Sequence, residues 1–332
     1  MNPESANSSP SNTKAPATLA HLSSSELRAR LKRGELVVRS GPIRMAIRCA
    51  RDDVAATLWS LYGDYPIEAP GGFADFHVHL RGTDLLRRWI KPQIIFEHDG
   101  HAPFLALPQP QAFALLEWGM NWCIANYCHQ YLMAHAAVVE KNGFAAILPA
   151  PPGSGKSTLC AALVHRGWRL LSDEMTLIDP ATCNILGLAR PINLKNASID
   201  IMRAYAPGAV FGPVVPDTKK GTVAHLRAPS ESVKRVDEPA RPRWIVFPKY
   251  EAGSAPVLTP MPKHSAFLQL AENAFNYAAL GRQGFEVLGE VIDMSDCLNF
   301  RYSQLDDAIA IFDELAARAR DLADVTEEAD VA

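Results

Sequence analysis

The sequence has no paired cysteines. Its six cysteines (Cys49, Cys123, Cys128, Cys160, Cys183, Cys297) lie far apart with no CxxC unit, and several sit in apolar runs where cysteine behaves as a small hydrophobe. That usage fits a reducing cytoplasm. No long basic run is present and the formal net charge is −3, so nothing draws the chain to nucleic acid. No uninterrupted apolar stretch approaches the roughly 18 residues needed to span a bilayer, which predicts a soluble protein without a membrane partner. The first twenty residues, rich in Ser, Asn, Pro and Ala, lack both an apolar core and a charged leader. This excludes a secretory signal of the usual kind and predicts disorder over 1–20. No Ser-His-Asp or Cys-His arrangement can be read as a motif. His77 and His79 alternate on one strand face, yet no third ligand with zinc-like spacing follows, so no metal is expected there.

With 332 residues, 48% of them hydrophobic, the chain has enough for a sizeable core and about two domains. Short alternating strands are predicted at Ile43–Arg48, Phe73–Leu80, Ile94–Phe96 and Phe104–Leu107, with one helix near Asp53–Leu61. A helix from Gln111 to Cys128, with its stripe of Phe113, Leu116, Trp118, Met120 and Ile124, leads out of this smaller α+β domain (21–130). A second domain (131–320) opens with a predicted hairpin: Tyr131–Val139, a turn at Lys141-Asn142-Gly143, then Phe144–Leu148. Its helix after residue 157 ends at Gly167, and Trp168–Ser172 forms the next strand. Residues 196–242, broken by prolines, glycines and charges, read as mobile loops with one or two short elements. Trp244–Phe247 restores a strand, and helices near Ser265–Gly281 and Gln304–Ala319 close the domain. Residues 321–332, with Asp321, Asp324, Glu327, Glu328 and Asp330, form an acidic tail expected to be solvated and frayed.

Ala150-Pro151-Pro152-Gly153-Ser154-Gly155-Lys156-Ser157, between an apolar strand and a helix starting at Thr158, reads as a phosphate-binding loop. Gly153 and Gly155 let the backbone approach phosphates, Lys156 reaches the β- and γ-oxygens, and Ser157 offers a hydroxyl to magnesium. The helix N-terminus favours anions. Pro152, Gly153, Ser154, Gly155, Lys156, Ser157 and Thr158 are therefore the nucleotide-binding candidates. Ala150 stands where the pattern has its first glycine, a position that often needs a conformation costly for an L-residue. The following strand ends in Asp173-Glu174, a carboxylate pair able to share metal binding and proton acceptance. The same pair also fits a strand-end cap or an ion pair with Arg169.

Three segments in register resemble the HPr kinase/phosphorylases, which carry a histidine before the loop, GxxGxGKS in it and RGxRLxxDD after it. Here they are His135, the loop itself, and Arg166-Gly167-Trp168-Arg169-Leu170-Leu171-Ser172-Asp173-Glu174. The chain is most similar to the HprK-related kinase A group, which shares helix Glu117-Trp118-Gly119-Met120-Asn121-Trp122-Cys123 and the segment from His135 to Glu140. The resemblance implies an α/β fold in which a P-loop core, like the HPr kinase C-terminal domain and phosphoenolpyruvate carboxykinase, follows a smaller α+β domain. It implies ATP and Mg2+ as cofactors, with Ser157, Asp173 and Glu174 as metal ligands. Asp173, Glu174, His135 and Lys156 would be catalytic, with His135 beside the carboxylate pair. A homo-oligomer and a small protein or peptide acceptor belong to the same implication. Glu174 replaces the family's last Asp, and the family's ExRG segment is absent, so the phosphorylase half of the activity and HPr itself as substrate are not implied. Arg190-Pro191-Ile192-Asn193-Leu194-Lys195-Asn196 occupies roughly that place, as a source of positive charge for the transferring group or as a solvated loop. Lys219, Lys220 and Arg227 are weaker substrate-loop candidates, or an exposed charge run.

The expected function is an ATP-dependent, magnesium-assisted kinase transferring the γ-phosphoryl group to a serine-type hydroxyl on a small protein or peptide. Two alternatives remain open: a nucleotide-dependent switch or scaffold ATPase, and a kinase of a small-molecule hydroxyl such as free serine. The absence of an NKxD segment disfavours a GTPase.

Overall fold

The computed structural model describes residues 16–83, 91–151 and 153–330, with side chains as far as 321. Part of the segment expected to be disordered is docked: Thr18 bridges to Pro66 and Leu19 is fully buried. The N-terminal half contains α1 (Ser24–Arg33), β1 (Leu36–Ser40), β2 (Ile43–Cys49), α2 (Asp52–Tyr62), β3 (Phe76–Gly82), β4 (Gln93–His98), β5 (Leu107–Pro108) and α3 (Ala112–Tyr127). A capping box starts α1, with Ser23 accepting from the Glu26 amide and Glu26 accepting from the Ser23 amide, and left-handed Gly34 ends it. The strands form one sheet in chain order, antiparallel except for parallel β2–β3. The strand expected at Phe104–Leu107 is reduced to the two residues of β5.

α3 lies against β3 and β4. Gly119 permits this approach, since a Cβ there would stand 2.1 Å from the Phe96 ring. The opposite side of α3 faces the rest of the chain. The two halves share one continuous apolar cluster that includes Leu36, Phe96, Leu116, Leu159 and Phe312. They are also pinned by a bidentate Arg39–Asp237 pair at 2.7 Å and by the Ser40 hydroxyl donating to the Ala189 carbonyl. The change of sheet near residue 130 is therefore not a break in the core.

The second half contains β6 (Leu132–Ala134), β7 (Ala136–Lys141), β8 (Phe144–Pro149), α4 (Lys156–Val164), β9 (Arg169–Ser172), β10 (Thr176–Ile178), β11 (Ile185–Leu186), β12 (Ile192–Lys195), α5 (Ala197–Tyr205), β13 (Val215–Thr218), β14 (Gly221–Leu226), α6 (Ser230–Lys234), β15 (Arg241–Tyr250), β16 (Val257–Pro260), α7 (Lys263–Glu272), α8 (Tyr277–Met294), β17 (Asp296–Tyr302) and α9 (Leu305–Asp330). Asn142 and Gly143 both have positive φ, the signature of a two-residue hairpin turn joining β7 to β8. Six strands form the main sheet in the order β16-β17-β15-β8-β7-β9. β15, β17 and β8 run parallel, whereas β7 is antiparallel to both β8 and β9. β8 and β9 thus point the same way with β7 between them, and α4 makes the crossover. This brings the C-terminal ends of β8 and β9, hence the loop and the Asp173-Glu174 pair, to one edge of the sheet. α4 is apolar almost all round because it is buried all round, from Leu159 to Val164.

Residues 196–242 are more ordered than their prolines and glycines suggest. They supply α5, β13, β14 and α6, and β14 pairs with β12 through buried Val223, Ala224 and Leu226. The single helix expected at Ser265–Gly281 is two, α7 and α8, with positive φ at Gly281 inside the latter. α9 continues as a helix through the acidic residues of the expected tail.

Candidate active site

β8 delivers the chain into the loop, and α4 receives it with Gly155 as its N-cap. Gly153 and Gly155 adopt φ of 87° and 89°, which an L-residue reaches only with strain. Ala150 lies outside the left-handed region, so replacing the first glycine carries no backbone penalty here. Pro152 lies outside the described residues. The loop, with Ser157 and Thr158, lines an open cavity of about 200 Å³, completed by His135, Glu174, Asn193, Lys195 and Ser198.

Lys156 is only 8% exposed, and its Nζ has no hydrogen-bond partner. Burial lowers its pKa, while Asp173 and Glu174 oppose that shift. Asp173 is 5% exposed: its Oδ2 accepts from the Asn193 amide at 3.1 Å, and its Oδ1 has no partner. Burial pushes the Asp173 carboxyl up to about 6, against the pull of Lys156 and helped by Glu174. Burial would raise Glu174 as well, but Lys220, the Asn193 side chain, Lys195 and Lys156 outweigh it and hold Glu174 down to about 2. The two neighbouring carboxylates are thereby driven to different ionisation behaviour.

Arg169 does not pair with them. Its partner is buried Glu140, and it also donates to the Arg235 and Glu238 carbonyls at 2.6 and 2.8 Å. His135 lines the cavity, but neither Asp173 nor Glu174 is among its hydrogen-bond partners. Its amide donates to the Asn273 carbonyl at 2.7 Å and its ring stacks on Phe275, 5.8 Å between centroids. Burial, reinforced by Lys156, holds the imidazole down to about 4, so it is neutral at pH 7.

Two asparagines not singled out by the sequence reading of the site hold the carboxylate pair by hydrogen bonds. Asn193 donates its side-chain amide to Glu174 Oε1 at 3.0 Å and its backbone amide to Asp173. Asn121, on α3, donates to Glu174 Oε2. Asn121 Oδ1 accepts from Arg190 at 2.5 Å, and Arg190 pairs with Glu117 Oε2 at 2.5 Å, while Tyr62 donates to Glu117 Oε1 at 2.6 Å. Arg190 is therefore held by Glu117 and does not face the phosphate loop. Glu117 and Asn121 are one helical turn apart, so one face of α3 serves both contacts. A polar i, i+4 pair in a largely apolar helix was the available signal.

Lys195, at the end of β12, lines the cavity. Lys220, at the β13–β14 turn, lies over the Trp118 ring at 5.1 Å and acts electrostatically on Glu174. Arg227 instead pairs with Asp64 at 2.6 Å. Among the described residues, no group of three or more His, Cys, Asp or Glu could hold a metal ion, and no helix is long and apolar enough to cross a membrane.

No family model matches the sequence, and no curated protein matches it. Among solved structures, the chain is similar to the Hpr(Ser) kinase/phosphatase from Coxiella burnetii, at 12% identity and a TM-score of 0.25, over 57% of this chain and 96% of that one. That score is too low for the overlay to assign a role to any residue, so the roles must follow from the geometry of the site itself.

Proposed function

We propose that the protein is an ATP-dependent kinase transferring the γ-phosphoryl group to a serine-type hydroxyl, with a small protein or peptide as acceptor on the strength of the family resemblance. The observation that carries this reading is the buried, unpartnered Lys156 ammonium beside a glycine loop, with the unpartnered Asp173 Oδ1 close by. Buried polar atoms without partners are uncommon: a bound triphosphate offers oxygens to the lysine, and the acceptor hydroxyl or the Mg2+ that accompanies the nucleotide offers the carboxylate a donor or a cation.

The residues present fit Mg2+ held chiefly by the nucleotide. Such a site uses one or two carboxylates plus phosphates and does not need an all-protein cage. Ser157, Asp173 and Glu174 are the groups that would hold it. Mg2+ held there would supply charge neutralisation on the phosphates. The chain's own residues do the rest. Loop amides and Lys156 fix the phosphates, and Asn121 and Asn193 hold Glu174 as a fixed anion. Asp173 Oδ1 takes the acceptor proton as the hydroxyl oxygen bonds to the γ-phosphorus and the bond to ADP breaks. Lys195, with Lys220 nearby, adds positive charge on the side where charge spreads over the transferring group.

The test is transfer from γ-labelled ATP into native cell-extract fractions sorted by mass, with Lys156→Ala as control. Label in a polypeptide fraction that disappears with the variant is expected. Label confined to small-molecule fractions would replace the acceptor class, and label released only as inorganic phosphate would contradict a kinase.

A further inference from the structure

Two tyrosines end adjacent parallel strands at the same sheet edge as the phosphate loop: Tyr250 closes β15 and Tyr302 closes β17, in register with each other. They lie on the side of β8 opposite β7 and β9. Tyr302 is buried, and its hydroxyl donates to the Gly155 carbonyl at 3.2 Å. Tyr250 is 51% exposed, although its amide donates to the Ser154 carbonyl at 3.0 Å and its ring meets Tyr302 edge-on at 6.0 Å. Its Cβ would be 3.1 Å from a Cβ placed on Gly155. A large aromatic ring is thus held against the loop by backbone and ring contacts while half its surface stays open.

The proposed triphosphate site gives that ring a direction. Asp173, Glu174 and Lys195 mark the end where the γ-phosphate reacts, toward β9. The strand order places β15 three strand spacings from β9, about 14 Å, on the far side of the loop. A nucleotide lying along this edge, outside the carboxyl ends of parallel strands, would have its phosphates in the loop and its base beside Tyr250. Every base presents a π-face, so a half-exposed tyrosine is a stacking platform for it.

We infer that Tyr250 is the stacking platform for the nucleobase of the bound nucleoside triphosphate, with Tyr302 buttressing both it and Gly155. This inference rests on the proposed nucleotide-dependent activity and adds the base subsite to it. Titration calorimetry with MgATP and, separately, with magnesium tripolyphosphate distinguishes the two. Wild type should bind ATP more tightly than tripolyphosphate. Tyr250→Ala should lose on the order of tenfold in ATP affinity and none in tripolyphosphate affinity, and Tyr250→Phe should keep both. Tripolyphosphate binding serves as the check that the Ala variant has kept its loop. If Tyr250→Ala binds ATP as wild type does, or weakens for both ligands alike, the base platform is wrong while the phosphate site stands. If wild type binds neither ligand, the nucleotide reading itself falls, and the platform with it.

Discussion

Two buried clusters of charge meet at Asn121, and they differ in how completely they are hydrogen-bonded. On one side, Arg190 donates to both Glu117 Oε2 and the Glu117 carbonyl, Asn121 accepts from it, and Tyr62 satisfies the other Glu117 oxygen. On the other side, Lys156 Nζ and Asp173 Oδ1 lack hydrogen-bond partners within bonding distance, and are acted on instead by electrostatic attraction to each other and, for Asp173, by the nearby Ser157 side chain. A closed network fixes geometry, whereas orphaned atoms in an open cavity mark where a ligand completes the bonding. The contrast separates Arg190, a cation close to the site in sequence and space that clamps the two halves of the protein, from Lys156, whose Nζ is left without a hydrogen bond and is the group proposed to meet phosphate. Among the described residues, Asn121 is the side chain of the N-terminal half that hydrogen-bonds to the Asp173-Glu174 pair.

The sharpest way to break the comparison is to open the closed cluster. Glu117→Ala would leave Arg190 buried without its carboxylate, at a cost of about 3–5 kcal/mol of stability, read as a large drop in thermal or denaturant midpoint. A variant melting like wild type would show that the network is not what joins the halves. Next is the orphaned carboxylate. Asp173→Asn keeps an acceptor for the Asn193 amide but removes the base, so transfer should fall by on the order of 10²-fold or more while melting holds or rises. Unchanged turnover would move the base role to Glu174. The smallest effect belongs to the junction. Asn121→Ala takes one partner each from Glu174 and Arg190, so it should cost about 1–3 kcal/mol and lower turnover without changing the KM for ATP. A stability loss with normal turnover would make Asn121 purely structural.

Features governed by local chemistry could be read directly from the sequence. The Asn142-Gly143 turn, the glycine loop and the β9 strand ending in Asp173-Glu174 each follow from neighbours in sequence, and the fold has them where they were expected. Two further local features, the Ser23/Glu26 capping box and the polar pair in α3, were legible but not assigned a role. What the sequence hid depends on pairing at a distance. β12 and β14 stabilise each other across α5 and β13, so the 196–242 stretch, full of turn residues, still folds. Arg190 and Arg227 are readable in the sequence only as spare cations, and their partners Glu117 and Asp64 are what occupy them. Asn121 stands in a segment that carries the family resemblance and Asn193 does not, but the role of either is hidden, because an amide oriented toward a carboxylate is defined by where it points.

The central claim is that the open cluster is completed by a nucleoside triphosphate. Its most direct test is calorimetric titration of MgATP into wild type and Lys156→Ala, with melting curves of both. The account predicts saturable binding to wild type, and no measurable binding to a variant that melts at or above the wild-type temperature, because burial of the ammonium outweighs its attraction to Asp173 and Glu174 and it makes no hydrogen bond in the protein alone. Equal ATP affinity in two folded proteins would contradict it.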